Sequence, residues 1–503
     1  MELASLASLA SGGRQRATSL PLVLALTSIS FFMVSLDSLV VVTALPAIHR
    51  SVGGSIATLE WAVNAYALTF AAGIITAAAL GDRLGRRRVY AAGLALFTAA
   101  SAACALAPDS GLLIAARAVQ GIGAAAVTPL ALTILASAFP PERRGSVVGI
   151  FGGIGGLAVA GGPLVGGVVV QGLDWHWIFW INVPIGLASA LGSAFFLPSG
   201  RGPAGRLDLP AVPLVAGGAA AVAWALVRAG GSGWGDPEAL GAFAAGVVLL
   251  AGFVLRERRA AEPMLPLRLF RARAFTAANL TGFCMSGAIF SAAFLTAQYF
   301  QLGLGYSPLA AGLRLLPWTA TPMVVAPLAG ALADRVGTRP LLVAGLAMQA
   351  GGLAWVASLA ASTADGGYGR FVVPLIIAGA GVSMALPTVP TAALGAVPPG
   401  DVGRASGVNN TLQRFGSAFG IALVSAVFAA NGHFGSAASF TAGYRPAMAV
   451  SAGISLLGAA AAIAIGRKRP APAAPAAPAP VPAAKPRGAG DVPAVMNSGA
   501  DAS

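Results

Sequence analysis

Charge is scarce in this sequence: only 10% of its 503 residues are Asp, Glu, Lys or Arg, against about 25% in soluble domains. So few charges cannot clothe a water-facing surface of this size. Cysteine is nearly absent. Cys104 and Cys284 fall inside apolar runs in opposite halves of the chain, where thiols act as small hydrophobes, and this argues against a structural disulfide. The three histidines, His49, His176 and His433, fall in segments assigned below to the external side, so no metal site or histidine relay is visible within the membrane, and no cofactor is expected. Lys468 precedes Arg and Lys485 precedes Pro, which excludes the Gly-Lys-Ser/Thr phosphate loop of a nucleotide-driven pump. Covalent catalysis has no candidate constellation either, so the chain does not read as an enzyme. A formal net charge of +14 comes without a soluble basic domain, zinc-ligand cluster or aromatic-basic stripe, which excludes nucleic acid as a partner.

What is present is apolar sequence in long blocks. Hydrophobic residues make up 57% of the chain, and they come in runs near the ~20 residues that a helix needs to cross ~30 Å of hydrocarbon. The lipid bilayer is therefore the main solvent, and the fold class is an all-α polytopic membrane protein. Spans are expected near 20–45, 57–80, 88–107, 111–138, 145–170, 177–197, 209–228, 237–255, 275–300, 308–333, 340–361, 371–396, 407–430 and 446–466. Arg14 and Arg16 precede a first apolar run too long for a cleaved signal peptide, so this run is expected to be retained as a span. Fourteen spans put both termini on one side. With the N-terminus inside, the cytoplasmic segments collect Arg83, Arg86, Arg87, Arg88, Arg143, Arg144, Arg201, Arg206, Arg256, Arg258, Arg259, Arg268, Arg271, Arg273, Arg335, Arg339 and Arg404, whereas the external ones hold only Arg50, Arg228, Arg370 and Arg445. This asymmetry obeys the positive-inside rule, and the basic balance of the chain is thereby a topology signal.

One loop occurs twice. Leu80-Gly81-Asp82-Arg83-Leu84-Gly85-Arg86-Arg87 joins the second and third spans, and Leu332-Ala333-Asp334-Arg335-Val336-Gly337-Thr338-Arg339 joins the tenth and eleventh. Two six-span halves would place the copy six spans later. It falls eight later, so two spans have been inserted between the halves. The expected organisation is a cytoplasmic segment over 1–19, a six-helix bundle over 20–200, two inserted spans and a linker over 201–270, a second six-helix bundle over 271–466, and a disordered Pro/Ala-rich cytoplasmic tail over 467–503. Removal of the tail should be nearly silent.

With this loop on the page, the chain resembles the fourteen-span drug:proton antiporter family of the major facilitator superfamily, from Leu20 to Gly466. The resemblance implies the major facilitator fold, transport by alternating access, and a place in a bacterial cell (inner) membrane as a functional monomer. It also implies a small-molecule drug or secondary metabolite as substrate and protons as the coupling partner. The superfamily loop is matched from Leu80 onward, with Ala78 in place of its first glycine. Gly85 permits a tight connection, and Asp82 can meet a helix N-terminus or an arginine in one conformation and leave it in the other. Asp82, Arg83, Gly85 and Arg86, with Asp334, Arg335 and Gly337 of the second copy, are therefore candidate gate residues; lipid-headgroup anchoring is the plainer reading of the arginines.

The stretch Leu113 to Ala125 matches the family's fourth-span motif and carries Arg117. A charge inside a span costs at least ~2.5 kcal/mol, so Arg117 should face the bundle interior and find a partner, or else snorkel to the headgroups. Asp37 is the one acid well inside a span. It stands nine residues before Pro46, ~13 Å from the outer end, and Arg117 six residues beyond Gly111, ~9 Å deep. These depths suit a pair. Leu36 to Pro46 resembles the family's first-span motif, whose acid the resemblance ties to proton coupling; Leu39 and Val42 depart from its usual Thr and Asn. Glu60, near the outer end of the second span, is the next acid for that role.

Gly162, Pro163, Gly166 and Gly167 resemble the antiporter motif of the fifth span, where small residues allow close helix approach and a proline bends the span. That motif favours export over import. Asn64, Tyr66, Gln120, Asn279, Gln298, Asn409, Asn410, Gln413 and Arg414 are candidates for the substrate cavity, although polar residues also join spans to one another. A gradient-coupled importer of a small metabolite and a non-transporting membrane receptor stay open as alternatives.

Overall fold

The computed structural model describes residues 19–53, 56–201, 210–233, 235–260, 263, 265, 267–360, 367–398, 401–433 and 436–466. The expected N-terminal segment and Pro/Ala-rich tail lie outside the described residues. The chain runs through helices α1 (Leu20–Val52), α2 (Ile56–Leu84), α3 (Arg86–Ala105), α4 (Ser110–Ala138) and α5 (Pro141–Gly172). It continues through α6 (Trp177–Phe196), α7 (Ala211–Ser232), α8 (Pro237–Arg259) and α9 (Arg273–Gln298). Next come α10, in the two pieces Pro308–Thr319 and Thr321–Val336, α11 (Thr338–Leu359), α12 (Gly369–Gly395), α13 (Val402–Asn431) and α14 (Ala437–Ile463). Thirteen of these spans are long and apolar enough to cross a bilayer. The remaining one, α5, has 32 residues, and its acidic and basic residues, Glu142, Arg143 and Arg144, all fall in its first turn.

Local sequence explains where the helices start and break. Asp109, Asp236, Ser307 and Ser436 cap helix N-termini with side-chain oxygens that accept backbone N–H bonds. Pro184 lacks the N–H that would bond Trp180, and α6 is interrupted at Ile181. Pro322 acts likewise at the Ala320 break in α10. A π turn over Tyr299–Gly303 ends α9. The last span starts nine residues before its expected limit of 446, because the Ser436 cap opens the helix there; Arg445 accordingly sits on the helix rather than in a preceding loop. At the first span the helix runs on to Val52 and carries Arg50 with it.

Burial is inverted relative to a water-soluble protein. Phe195, Val248, Val324 and Leu457 are about two-thirds exposed, while Asp37, Asn64, Arg117 and Gln120 are almost fully buried. That is the distribution expected when apolar side chains face lipid and polar groups must find partners inside the protein.

The duplicated loop is duplicated in structure. Gly85 and Gly337 both adopt positive φ, +106° and +86°, and each donates its N–H to the carbonyl four residues earlier, Gly81 and Ala333. Helix pairing repeats with the same offset of eight: α1 packs on α5 as α9 packs on α13, α3 on α4 as α11 on α12, and α3 on α6 as α11 on α14. The inserted α7 packs against both α2 and α13, and α8 packs on α7. Ala219, Ala223 and Val227 of α7 join Ala67, Leu68, Ala71 and Ala72 of α2 and Phe415, Ala418 and Ala422 of α13 in one apolar cluster. Helix α7 thus covers the α2–α13 seam, with α8 packed on it.

Candidate functional site

Asp37 of α1 and Arg117 of α4 meet in the N-terminal half, both side chains without solvent exposure, with Nη1 2.5 Å from Oδ2. Gln120, Ser101, Asn182, Ala62 and Tyr66 complete the cluster. Gln120, one turn from Arg117, donates through Nε2 to Asp37 Oδ1 at 3.1 Å and to Ser101 Oγ at 2.8 Å, and its Oε1 accepts from Arg117 Nη1 at 2.7 Å. Asn182 donates to Asp37 Oδ1 at 2.9 Å and to Ser101 Oγ at 3.1 Å. Arg117 Nε donates to the Ala62 carbonyl at 2.9 Å, and its guanidinium lies over the Tyr66 ring, 4.1 Å from the centroid. The Tyr66 hydroxyl is tied to Ser38 and to the Val34 carbonyl.

Every hydrogen bond to Asp37 comes from a donor, the set an ionised carboxylate accepts. Among the described residues one donor meets Oδ2 and two meet Oδ1, which leaves a lone pair on Oδ2 where a proton could sit. Arg117 Nη2 has no hydrogen-bond partner among the described residues. Gln120, a candidate for the cavity wall, is fully buried and spends its amide on Asp37, Arg117 and Ser101. Asn182 and Ser101 escaped the sequence reading. The available signal was Asn182 alone, an amide in the apolar run that opens α6.

Glu60 lies apart from this cluster. It is buried with Oε2 unpartnered, and it lines a cavity of about 410 Å³ with Pro46, His49, Arg50, Gln298 and Gln301. Asn64, one turn further along α2, is fully buried with both amide atoms unpartnered. In the C-terminal half, Gln413 donates to Asn409 at 2.6 Å, Asn409 to Asn279 at 3.2 Å, and Asn279 to the Phe275 carbonyl at 2.8 Å. Gln298 bonds the Phe294 carbonyl, and Asn410 the Ser406 carbonyl. Arg414 lies over Phe70, 4.3 Å from its centroid.

The glycine-rich motif of α5 acts at helix crossings. A Cβ on Gly162 would stand 2.7 Å from the Leu39 Cβ, and one on Gly166 would collide with Thr43, both on α1. A Cβ on Gly167 would lie 2.8 Å from the Leu309 Cα, and one on Gly312 of α10 would meet the Pro163 carbonyl at 2.5 Å. The motif therefore brings α5 against α1 on one side and against α10 on the other. Two hydrogen bonds join the halves at this end: Gln301 Nε2 to the Thr43 carbonyl at 3.0 Å, and Leu309 N to Gln171 Oε1 at 3.2 Å. The second piece of α10 makes far less contact with α5 than the first. The α5–α10 seam is thus closed at the end opposite the duplicated loops and loosens toward them.

At the loop itself, Asp82 pairs with Arg86 at 2.7 Å, an i,i+4 contact within the same motif. Arg86 N donates to the Gly200 carbonyl and Arg87 to the Leu197 carbonyl, which fastens the loop to the end of α6. Arg83 and Arg335 are exposed. The Asp334 side chain lies outside those described.

The family model for the Major Facilitator Superfamily matches residues 27–421 and 281–492. The chain is 33% identical over 404 residues, 80% of it and 74% of the relative, to the tetracenomycin C resistance and export protein of Streptomyces glaucescens. It is 35% identical over 446 residues, 87% of it and 92% of the relative, to the methylenomycin A resistance protein of Streptomyces coelicolor. Among solved structures, the xylose transporter XylE from E. coli superposes with a TM-score of 0.59 at 14% identity, covering 88% of this chain and 97% of that one, which shows the fold alone. With its long apolar helices, its eightfold-offset helix repeat and these matches, the chain is a multi-pass membrane protein that belongs to the Major Facilitator Superfamily and to its drug:proton antiporter family.

Proposed function

We propose that this protein exports drugs or secondary metabolites from a bacterial cell in exchange for protons, working as a monomer by alternating access. The basic loops and both termini face the cytoplasm, as the arginine asymmetry of the loops requires. Residues 20–200 and 271–466 move as two six-helix units, with 201–270 supplying the inserted pair and linker. The observation that carries the proposal is the Asp37–Arg117 pair, fully buried and ringed by donors.

In the arrangement described, the closed end faces outward and substrate reaches the interior from the cytoplasm. Opening to the outside brings protons to Asp37, and protonation weakens its hold on Arg117 and the two amides. Return to the inward arrangement restores those donors and expels the proton to the cytoplasm. Each cycle so moves a proton inward as substrate leaves outward. The names of the two antibiotic-resistance relatives support export of a natural product.

The test uses purified protein in proteoliposomes with a trapped pH-sensitive dye. Tetracenomycin C, methylenomycin A and ethidium are each supplied, and at least one should drive proton movement opposite to its own. Asp37→Asn should abolish gradient-driven transport and retain measurable substrate binding, whereas Asp37→Glu keeps partial activity. An Asp37→Asn protein that still concentrates substrate at the wild-type rate would move the coupling proton to another group, with Glu60 next.

A further inference from the structure

Two arginines lie on one aromatic pair. Tyr66 and Phe70 pack edge to face, their centroids 5.7 Å apart, with Arg117 over the first ring and Arg414 over the second. Their charges are not treated alike. Arg117 is neutralised by Asp37. Among the described residues, no ion pair and no hydrogen bond engages the Arg414 guanidinium, which lies over the face of Phe70.

No acid is placed to serve it. Helices α7, α9, α11, α12, α13 and α14 contain neither Asp nor Glu, and α10 has only Asp334 at its loop end. In α2, Asp82 is committed to Arg86. Glu60 faces Ser425, eleven residues along α13 from Arg414 and so ~16 Å away along the helix axis. Arg414 itself stands twelve residues into α13, ~18 Å from its start and near the middle of a ~30 Å hydrocarbon layer. It is only half-buried there. The neighbouring amides are ordered without it, since Gln413, Asn409 and Asn279 bond one another in a chain.

An uncompensated guanidinium at membrane depth, backed by a fixed aromatic face, is a binding element for a planar group bearing negative charge. From this juxtaposition we infer that Arg414, held on the buried Phe70 ring, is the anion subsite of the substrate cavity, and that the preferred substrates are aromatic weak acids, carboxylic or phenolic. This rests on the export reading for its cellular meaning, but the subsite itself is a binding property. Phe70 is itself fully buried and holds the guanidinium from behind, so the open face of Arg414 stacks on the substrate ring and its N–H groups take the ionised oxygen in a charge-assisted bond.

Binding by the purified full-length protein in nanodiscs tests this without any gradient. The probes are anthracene-9-carboxylate and 9-anthracenemethanol, which share the ring system and differ in charge, each titrated by fluorescence in gluconate buffer. Wild type should prefer the carboxylate by about tenfold or more, the scale of one charge-assisted hydrogen bond. Arg414→Gln should lose that preference and bind the alcohol within about twofold of wild type, which also shows that it is folded. Arg414→Lys should keep a preference for the acid. Equal binding of the two probes by wild type, binding of neither, or an acid preference that survives in Arg414→Gln would each overturn the inference. So would its disappearance in wild type when gluconate is replaced by chloride, because the site would then hold a small inorganic anion. Acid-selective binding without proton-linked efflux would sink the export reading alone, and efflux without acid selectivity would sink the anion subsite alone.

Discussion

At the scale of single residues, the Asp37–Arg117 pair shows how a membrane protein can retain charge in its interior. Two ions leave water only if each is met by the other and by further donors and acceptors. Here Gln120 and Asn182 supply two more donors to the carboxylate, and the Ala62 carbonyl and Gln120 Oε1 accept from the guanidinium. Removing one member strands the other. Arg117→Ala should therefore destabilise the protein by about 3–5 kcal/mol, read as a lowered thermal midpoint in detergent. The double substitution Asp37→Ala with Arg117→Ala should recover much of that loss and remain inactive in transport. If the single and double variants unfold at the same temperature, the two side chains are not coupled in the way their geometry indicates.

At the scale of helices and their connections, glycine decides which elements can meet. Gly85 holds φ at +106° in the short joint between α2 and α3, a region costly for a β-branched side chain. Gly85→Val should slow transport severalfold through strain of about 1–3 kcal/mol in the joint, with substrate binding preserved; a matching loss of folded protein would make the loop a structural feature only. Gly167 serves a different purpose, because it lets the α5 backbone touch Pro308 and Leu309 of α10. Gly167→Val should hold those helices apart. A cysteine replacing Gln301, which bridges to Thr43 in the closed arrangement, should then react faster with an impermeant maleimide added from outside. Unchanged labelling would show that the crossing tolerates the added methyl groups.

At the scale of the whole molecule, the charge asymmetry predicts an orientation that labelling can test. Ser51 and Ser232 end α1 and α7 and are exposed, and Ser199 follows α6 and is exposed as well. Single cysteines at Ser51 and Ser232 should react from outside in sealed cells, and one at Ser199 should react only after the cells are opened. The reverse pattern would invert the map and with it the direction of transport proposed above. The inserted α7 lies over the α2–α13 seam, where the two halves adjoin, and α8 packs on α7. The face of α7 at the seam is made of small residues, Ala219 and Ala223, with Val227 beyond them.

The sequence by itself determined the spans, the loop duplication with its offset of eight, and the candidacy of Asp37 and Arg117. Each of these depends on properties that accumulate locally along the chain: the apolar length needed to cross lipid, the placement of arginine between spans, and the rarity of a charge within one. Helix rise alone put the acid and the arginine at compatible depths, and depth needs no knowledge of neighbours. The last span was misjudged at its start because the signal there is a serine cap, which hydropathy does not register. Only the tertiary structure decided which side chains share a depth and also a face. It made Asn182 a partner of Asp37 and Ser101 a partner of Asn182, engaged Gln120 with Asp37 and Arg117, closed α5 on α10 at one end, and laid α7 across the seam. Rotation of each helix about its axis and the choice of neighbour are set by packing among helices that are far apart in the chain, and in lipid that packing turns on single small or polar residues rather than on apolar surface common to every span.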